Sequence, residues 1–225
     1  MNVWINYFDN KINFIEGNIN VIEIENKKYF YRFVNDLYSI YNEGYSDNIS
    51  FYNNENFEVN MNGRIKMIVD FFNFNFNSKK YINDISKYVN KNISDEDKND
   101  LISLYKRIMK LYNKFLNNID LPLNIADEIN IENITNTIKV VIKEKQNLLD
   151  NLLLLIDLEK VLKTKNILVF TNLKQYLTKN ELIELYKYSI YNEVLILLID
   201  SQCYGGTLNY EKKLIIDENL DEFVV

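Results

Sequence analysis

The segment from residue 165 to residue 200 constrains the fold more than any other part of the chain, because it reads as strand, capped helix and strand. Residues 166–170 (NILVF) and 194–200 (VLILLID) are short apolar runs, typical of parallel strands that are buried on both faces. Between them, Thr178 and Glu181 have the spacing of a capping box, which predicts the start of a helix. Two buried strands joined by a helix predict a right-handed crossover in a parallel sheet, and therefore an α/β fold.

This arrangement is the frame of nucleotide-hydrolysing enzymes, but the sequence has no phosphate-binding loop. Such a loop needs glycines, because backbone amides must close on the phosphates without a side chain in the way. None of the five glycines precedes a Lys-Ser or Lys-Thr pair. Lys27 and Lys28 follow the apolar strand at residues 21–24, near where such a loop would hold its lysine, but they lack a glycine cradle. We therefore expect the fold without ATP hydrolysis.

Composition excludes several catalytic classes. The 225-residue chain has no histidine, which removes Ser-His-Asp and Cys-His catalysis and histidine zinc sites. Its single cysteine, Cys203, can form neither an intrachain disulfide nor a Cys-x-x-Cys site. No signal peptide is recognisable and no apolar run approaches the ~20 residues of a membrane span, so we expect a cytoplasmic protein. The net charge of −6 argues against a uniformly basic nucleic-acid binder, but not against a local basic surface.

The N-terminal quarter of the chain predicts short strands and one helix. Gly17 and Asn18 mark a hairpin-like turn between two strand-like segments. The spacing of apolar residues from Tyr29 to Tyr41 predicts a helix. The expected strands are residues 2–8, 11–15, 18–25 and 49–52.

From about residue 62 the apolar spacing becomes helical. Ser94 has the position of a helix N-cap followed by first-turn acids that suit the helix dipole, and Pro122 ends the helical pattern. The expected helices carry apolar residues at 65–72, 81–89 and 101–115, and two more cover 129–141 and about 144–162. We therefore assign residues 1–58 and 150–225 to an α/β head and residues 59–149 to an inserted α-helical leg.

Charge is distributed unevenly along the chain. Residues 79–118 hold nine basic and five acidic residues, a balance of +4, whereas residues 200–225 hold two basic and six acidic residues, a balance of −4. These patterns fit a solvated helix face and an acidic tail, or else a helix face that meets DNA phosphates while the tail stays away from them. Lysine-rich faces contact the DNA backbone, so sequence-specific recognition is not expected.

An acidic bend, residues 119–138, contains four acids and no basic residue beside the only proline. Gathered carboxylates repel one another unless a cation joins them, and calcium suits flexible sites made only of oxygen ligands. The pattern is not an EF-hand, because the alternating acids and the central glycine are missing. A solvated helix start is the alternative reading. The candidate calcium ligands are Asp120, Asp127, Glu128 and Glu132.

Three segments carry a resemblance to a known family: residues 165–172 (KNILVFTN), 176–181 (YLTKNE) and 194–200 (VLILLID). Residues 74–78 (FNFNS), the helix after Ser94 and the order sheet, helical leg, sheet support it. Along essentially its full length, the chain resembles the ring-forming adaptation protein family of type II-A CRISPR systems. The junction at residues 121–126 (LPLNIA) departs from the family pattern by being longer.

The resemblance implies a fold and a function that composition does not indicate. The fold would be a degenerate nucleoside-triphosphatase-like head with a mainly parallel sheet, plus an inserted α-helical leg. Four copies would form a ring whose basic channel holds double-stranded DNA, preferring ends, without catalysis. Calcium would bind near the junction of head and leg and support the ring. The protein would act in spacer acquisition with the CRISPR integrase proteins and the RNA-guided nuclease.

Carried over to this sequence, the resemblance assigns two sets of residues. It implies that the four acids of the acidic bend are the calcium ligands. It places the DNA-facing surface at the first turn of the head and the base of the leg, where the candidates are Lys27, Lys28, Arg32, Arg64, Lys66, Lys79 and Lys80.

Two further functions stay open on the sequence alone. The acidic bend could instead serve a metal-dependent nuclease with magnesium, although bare negative charge there would repel incoming phosphate. A protein–protein adaptor whose helical leg docks a partner would have no DNA affinity at moderate salt.

Overall fold

The computed structural model describes residues 1–14, 17–123, 125, 138, 140–164 and 166–225, except for the side chain of Lys80. These residues form two units. The α/β unit comprises Met1–Phe74 and Lys145–Val225, and the helical unit comprises Asn75–Glu144. The helical unit is thus inserted into the α/β unit, and the divisions lie at 74/75 and 144/145, compared with the expected 58/59 and 149/150.

In the described part of the chain, the α/β unit contains nine strands and three α-helices. In chain order the strands are β1 (Asn2–Ile5), β2 (Ile12–Asn13), β3 (Ile19–Ile24), β4 (Ile49–Tyr52), β5 (Ile65–Ile68), β6 (Ile167–Thr171), β7 (Leu195–Asp200), β8 (Glu211–Ile216) and β9 (Glu222–Val224). The helices of both units are α1 (Lys27–Glu43), α2 (Lys79–Asn92), α3 (Asp95–Leu116), α4 (Leu148–Leu162) and α5 (Lys179–Tyr191), with a 3-10 turn at Leu173–Gln175.

Six strands form the main sheet in the order β5-β6-β7-β3-β8-β9, and β2-β1-β4 form a small antiparallel sheet. All neighbours in the main sheet are parallel except β8 and β9. The prediction of a mainly parallel α/β sheet is therefore confirmed. The unit β6-α5-β7 is present as predicted, and Thr178 and Glu181 form the capping box at the start of α5.

Two local predictions are wrong. Gly17 and Asn18 do not close a hairpin, because β2 pairs with β1 whereas β3 pairs with β7 and β8 of the main sheet. Residues 65–68 form strand β5, which pairs with β6, and not a helix. The apolar spacing there also fits a short strand whose two faces are both covered, and pairing with β6 decides between the two.

The two faces of the main sheet are buried differently. On one face, Ile22, Leu197 and Leu214 join a large apolar core with α1 and the small sheet. The register places Glu23, Asp200 and Lys213 on the opposite face, because side chains alternate along each strand. Helices α4 and α5 pack against each other and reach this second face through the side chains of Glu159 and Tyr186. The second face therefore carries charged side chains inside the protein.

The helical unit contains α2 and α3. Ser94 caps α3 as predicted, since its hydroxyl oxygen accepts a hydrogen bond from the amide of Asp97 at 3.1 Å. The helix expected at residues 129–141 lies almost wholly outside the described residues. No helix in the described part of the chain is both long enough and apolar enough to cross a bilayer.

Candidate nucleic-acid interface

The start of α1 presents an exposed basic surface at the carboxyl end of the central strand β3. Asn26 caps the helix by accepting a hydrogen bond from the amide of Tyr29 at 3.2 Å, so Lys27 and Lys28 occupy the first turn. Both lysines are exposed, and the first turn contains no acid. Cations at the positive end of a helix dipole are unfavourable in the free protein. An anionic ligand would reverse that effect.

Arg32 lies one turn further along α1 and is held in place by neighbours. Its guanidinium group lies 4.2 Å from the centre of the Tyr7 ring and donates a hydrogen bond to the side-chain oxygen of Asn48 at 3.4 Å. The Tyr7 hydroxyl donates to Asp36 at 2.7 Å, and burial together with this contact raises the pKa of Tyr7. Arg32 is exposed, so its charge faces solvent while the ring orients it.

The turn between β3 and α1 does not have the form of a phosphate cradle. The amide of Glu25 donates to the carbonyl of Ile216 at 2.9 Å, which continues the pairing of β3 with β8. The side chain of Asn26 caps the helix and donates to the carbonyl of Glu218 at 3.1 Å. A side chain therefore fills the turn that glycines leave open in nucleotide-binding loops.

The other candidate DNA-binding residues fall in different surroundings. Arg64 is exposed directly before β5, and its carbonyl accepts a hydrogen bond from the amide of Ile167 at 2.8 Å. Lys79, the first residue of α2, is exposed. The side chain of Lys80 lies outside the description.

The assignment of Lys66 to the DNA-facing surface is wrong. Its side chain points from β5 into the interior, is only 6% exposed and forms an ion pair with Glu159 of α4. Glu159 also accepts hydrogen bonds from Thr164 and Asn166, the latter at 2.8 Å. The charge of Lys66 is thus neutralised inside the α/β unit and is not available to phosphate.

Of the four candidate calcium ligands, only Asp120 lies within the described residues. It is exposed and follows the end of α3 by four residues. Asp127, Glu128 and Glu132 lie outside the described residues. No group of three or more acids or cysteines in the described part of the chain is arranged to hold a metal ion.

A buried charge cluster, made of Glu23, Lys174, Asp200, Glu211 and Lys213, lies on the second face of the main sheet. Lys174 pairs with Glu23 at 3.0 Å and with Glu211 at 2.8 Å, and Lys213 pairs with Glu23 at 3.0 Å. Burial alone would lower the pKa of Lys174, but the two carboxylates raise it above its ordinary value. No member of the cluster is more than 9% exposed.

The cluster also fixes the loop between β7 and β8. Lys213 donates to the carbonyls of Gly205 and Gly206 at 3.1 and 3.4 Å, and the amide of Tyr204 donates to Glu23 at 3.3 Å. The Tyr186 hydroxyl donates to Glu211 at 2.9 Å, and burial raises its pKa. The network therefore ties β3, α5 and the 201–210 loop together from inside.

Asp200 is the member of the cluster without a matching cation. It is fully buried, and neither carboxyl oxygen makes a hydrogen bond of ordinary length to a described residue. Burial raises the pKa of Asp200 to about 7; Lys174 opposes this rise, whereas Glu23 and Glu211 add to it. Three carboxyl groups face two ammonium groups, so one proton held by Asp200 makes the cluster neutral.

The comparisons with known proteins agree with the fold. The family model described as CRISPR-associated protein (Cas_Csn2) matches residues 41–220, which is more than half of the chain. The chain belongs to the Cas_Csn2 family. The structure is similar to the crystal structure of Stu0660 of Streptococcus thermophilus, with a TM-score of 0.63 and 14% sequence identity over 99% of this chain and 76% of that one. No curated protein matches the sequence.

The buried charge cluster of this Cas_Csn2 family member was not predicted from the sequence. Its residues come from four separate stretches of sequence. A signal was nevertheless present, since Glu23 interrupts the apolar run of β3 and Lys213 precedes the apolar run of β8. A charged residue within a strand buried on both faces requires an ionic partner.

Proposed function

We propose that this Cas_Csn2 family member acts in CRISPR spacer acquisition as a non-catalytic, homotetrameric ring that binds the ends of double-stranded DNA in a basic central channel. Its place of action is the cytoplasm, and its partners are the CRISPR integrase proteins and the RNA-guided nuclease. Membership of the family and the α/β unit with an inserted helical unit support this proposal.

The observation that carries the proposal is the basic first turn of α1. Lys27 and Lys28 lie near where a nucleotide-binding loop would hold its lysine, but the turn before them has no open cradle. The exposed charge suits a phosphate backbone that approaches from outside, and it does not suit an enclosed nucleotide. Lysine contacts of this kind give affinity without sequence specificity.

A pair of substitutions tests the role of α1. Lys27→Gln with Lys28→Gln removes two cations at exposed positions. The slope of log affinity for linear duplex against log salt concentration should become shallower by about 2 for each protomer whose α1 contacts the duplex. Lys179→Gln with Lys187→Gln, which removes two exposed cations from α5, is the matched control and should keep the slope. An unchanged slope in the first pair would remove α1 from the DNA-binding surface.

We further propose that calcium supports the ring through Asp120, Asp127, Glu128 and Glu132. Oxygen ligands and the lack of nearby basic residues in the acidic bend suit calcium. Sedimentation equilibrium in calcium should give the mass of a tetramer, and excess chelator should lower it. Asp127→Asn with Glu128→Gln should abolish the calcium effect. A mass that is the same in calcium and in chelator would contradict a supporting role for the ion.

The same samples separate the alternative functions. Degradation of duplex in magnesium that disappears with Glu128→Ala would favour the nuclease. Absence of binding at moderate salt, together with a monomeric or dimeric mass, would favour a protein–protein adaptor.

A further inference from the structure

Strand β9 ends the main sheet, and its outer side has no partner strand in the described part of the chain. We call this side of residues 222–225 the open edge. The other end of the sheet differs, since three of the four residues of β5 are buried. Native proteins commonly protect an open edge with lysine, proline or a bulge, because its unpaired backbone groups can add a strand from another chain. Residues 217–225 contain neither lysine nor proline.

The hydrogen bonds between β8 and β9 determine which backbone groups point outward. Val225 and Lys213 exchange both backbone hydrogen bonds, at 2.9 and 3.0 Å. Bonded and non-bonded pairs alternate in an antiparallel ladder, so Phe223 also bonds to β8, whereas Glu222 and Val224 do not. Within the described ranges, no hydrogen bond reaches the backbone N–H or C=O of these two residues. The open edge therefore offers two donors and two acceptors to one added strand.

The open edge is held in an extended conformation by its neighbours. The side chain of Glu222 accepts hydrogen bonds from the amides of Asp9 at 2.7 Å and Asn10 at 2.8 Å. In the preceding turn, the amide of Asp217 donates to the carbonyl of Asp221 at 3.1 Å, and the amide of Asp221 donates to the side chain of Asp217 at 2.9 Å. A partner would therefore meet a strand that is already ordered, which lowers the entropic cost of binding.

The side chains along the open edge are apolar and exposed. Phe223, Val224 and Val225 are each at least 50% exposed. Side chains alternate along a strand, so Val224 lies on one face of the sheet and the other two lie on the opposite face. An added strand would cover apolar surface on both faces, which strengthens binding beyond the backbone hydrogen bonds.

The open edge is flanked by negative charge. The turn between β8 and β9 and the first residue of β9 carry four acids and no basic residue: Asp217, Glu218, Asp221 and Glu222. None of these acids forms an ion pair within the described ranges. The two lysines that follow Asn26 in α1 lie near the turn, because Asn26 donates to the carbonyl of Glu218 at 3.1 Å, but neither lysine pairs with these acids.

This charge decides which kind of strand fits the open edge. A second copy of the chain would bring the same four acids to the interface, and the like charges would oppose pairing. A strand with lysine or arginine side chains would be attracted to the acids and could form the same backbone hydrogen bonds. Charge complementarity therefore favours a basic partner over a second copy.

We propose that the open edge of β9 is a docking site for an extended, basic segment of a partner protein, which joins the main sheet as a further strand. The backbone groups of Glu222 and Val224 bind the main chain of the segment, and the acids of the turn select its lysine or arginine side chains. The inference is independent of DNA binding, because it uses neither Lys27 nor Lys28.

The probe is a fluorescently labelled hexapeptide of alternating valine and lysine, titrated with the full-length chain and followed by anisotropy. It should bind with an affinity that falls as the salt concentration rises. The same peptide with glutamate in place of lysine should not bind. A lysine peptide that is N-methylated at every residue keeps its side chains but lacks amide donors, and it should lose binding as well.

Two changes in the protein test the backbone and the charge separately. Val224→Pro removes one outward N–H and should weaken binding of the lysine peptide roughly tenfold, whereas Val224→Thr keeps the N–H and the branched shape and should bind as wild type does. Glu218→Gln with Asp221→Asn should weaken binding several-fold at low salt and flatten its salt dependence. Glu55→Gln with Glu184→Gln, at exposed positions elsewhere in the α/β unit, is the charge-matched control and should change neither. Circular dichroism verifies the fold of each variant.

Weaker binding in the proline and charge variants, with wild-type affinity in both controls, supports the docking site. Equal affinity of Val224→Pro and Val224→Thr would overturn it, and so would equal binding of the lysine and glutamate peptides. A lower sedimentation mass of Val224→Pro without peptide would assign the open edge to a second copy and also overturn the proposal. If Val224→Pro does not fold, the N-methylated peptide decides with wild-type protein, because undiminished binding of that peptide excludes strand addition.

Discussion

Replacing Asp200 by asparagine should change how the stability of the protein depends on pH. Asp200 is fully buried at the end of β7, and its carboxyl group faces a cluster in which two acids already match two lysines. Burial raises its pKa from 3.8 to about 7. Asparagine has nearly the same size but cannot ionise, so it removes the titration while keeping the shape of the site.

The magnitude follows from the shift. Each pKa unit is worth about 1.4 kcal/mol, so an ionised Asp200 destabilises the folded state by on the order of 4 kcal/mol. Below pH 3.8 both states hold the proton and the penalty is absent. Between 3.8 and about 7 only the unfolded state loses the proton, so stability falls as pH rises, and above about 7 the penalty is complete. Roughly a third of it has developed at pH 5.

The assay is urea unfolding followed by circular dichroism at several pH values from 5 to 8. Asp200→Asn should gain about 2–3 kcal/mol of unfolding free energy relative to wild type between pH 5 and pH 8. This difference between two pH values cancels any constant cost of placing an amide in the cluster. Asp100→Asn, at an exposed position on α3, is the control and should follow the wild-type curve. Parallel curves for Asp200→Asn and wild type would refute the buried, partly protonated carboxyl group.

Two further substitutions test the packing of the α/β unit. Lys66→Met leaves the carboxylate of Glu159 buried without its cation and should lower the unfolding free energy by about 3–5 kcal/mol. Lys66→Met with Glu159→Gln should recover part of the loss in the same urea titrations, because the neutral amide oxygen can still accept the hydrogen bond from Asn166. Equal losses in the single and double variants would argue against the ion pair. Thr178→Ala removes the hydroxyl that caps α5 and should lower the unfolding free energy by about 1 kcal/mol, measured by thermal or urea unfolding. Thr178→Ser keeps a hydroxyl and should leave the unfolding free energy nearly unchanged. An unchanged unfolding free energy in the alanine variant would count against the capping box.

The parts of the fold that the sequence predicted are those with local signals. Two apolar runs and a capping box predict the unit β6-α5-β7, and each of these signals depends only on residues close together in the sequence. Strand β4 and the cap of α3 at Ser94 are similarly local. These elements have the same form in the structure because packing and propensity agree there.

The mistaken elements depend on contacts between distant residues. Strand β5 is only four residues long, and it is a strand because it pairs with β6 about a hundred residues later in the chain. The turn at Gly17 leads from one sheet into the other, which local turn chemistry does not distinguish from a hairpin. The periodicity of apolar residues carries no information about pairing between strands that are far apart in the sequence.

The candidate site also depends on both local signals and distant contacts. Lys27 and Lys28 could be proposed from the sequence because they directly follow a recognisable strand, and both are exposed in the structure. Lys66 was misassigned because its partner, Glu159, lies 93 residues away and only the fold brings them together.

The proposed ring is tested most directly by the topology of the DNA. Linear duplex and the same sequence as a covalently closed circle are titrated with the protein in calcium and in excess chelator, and complexes are resolved by gel shift. We expect binding to linear DNA alone, lost on chelation, because a closed ring can load only where a duplex ends. Equal binding to the linear and circular forms would contradict the proposed ring.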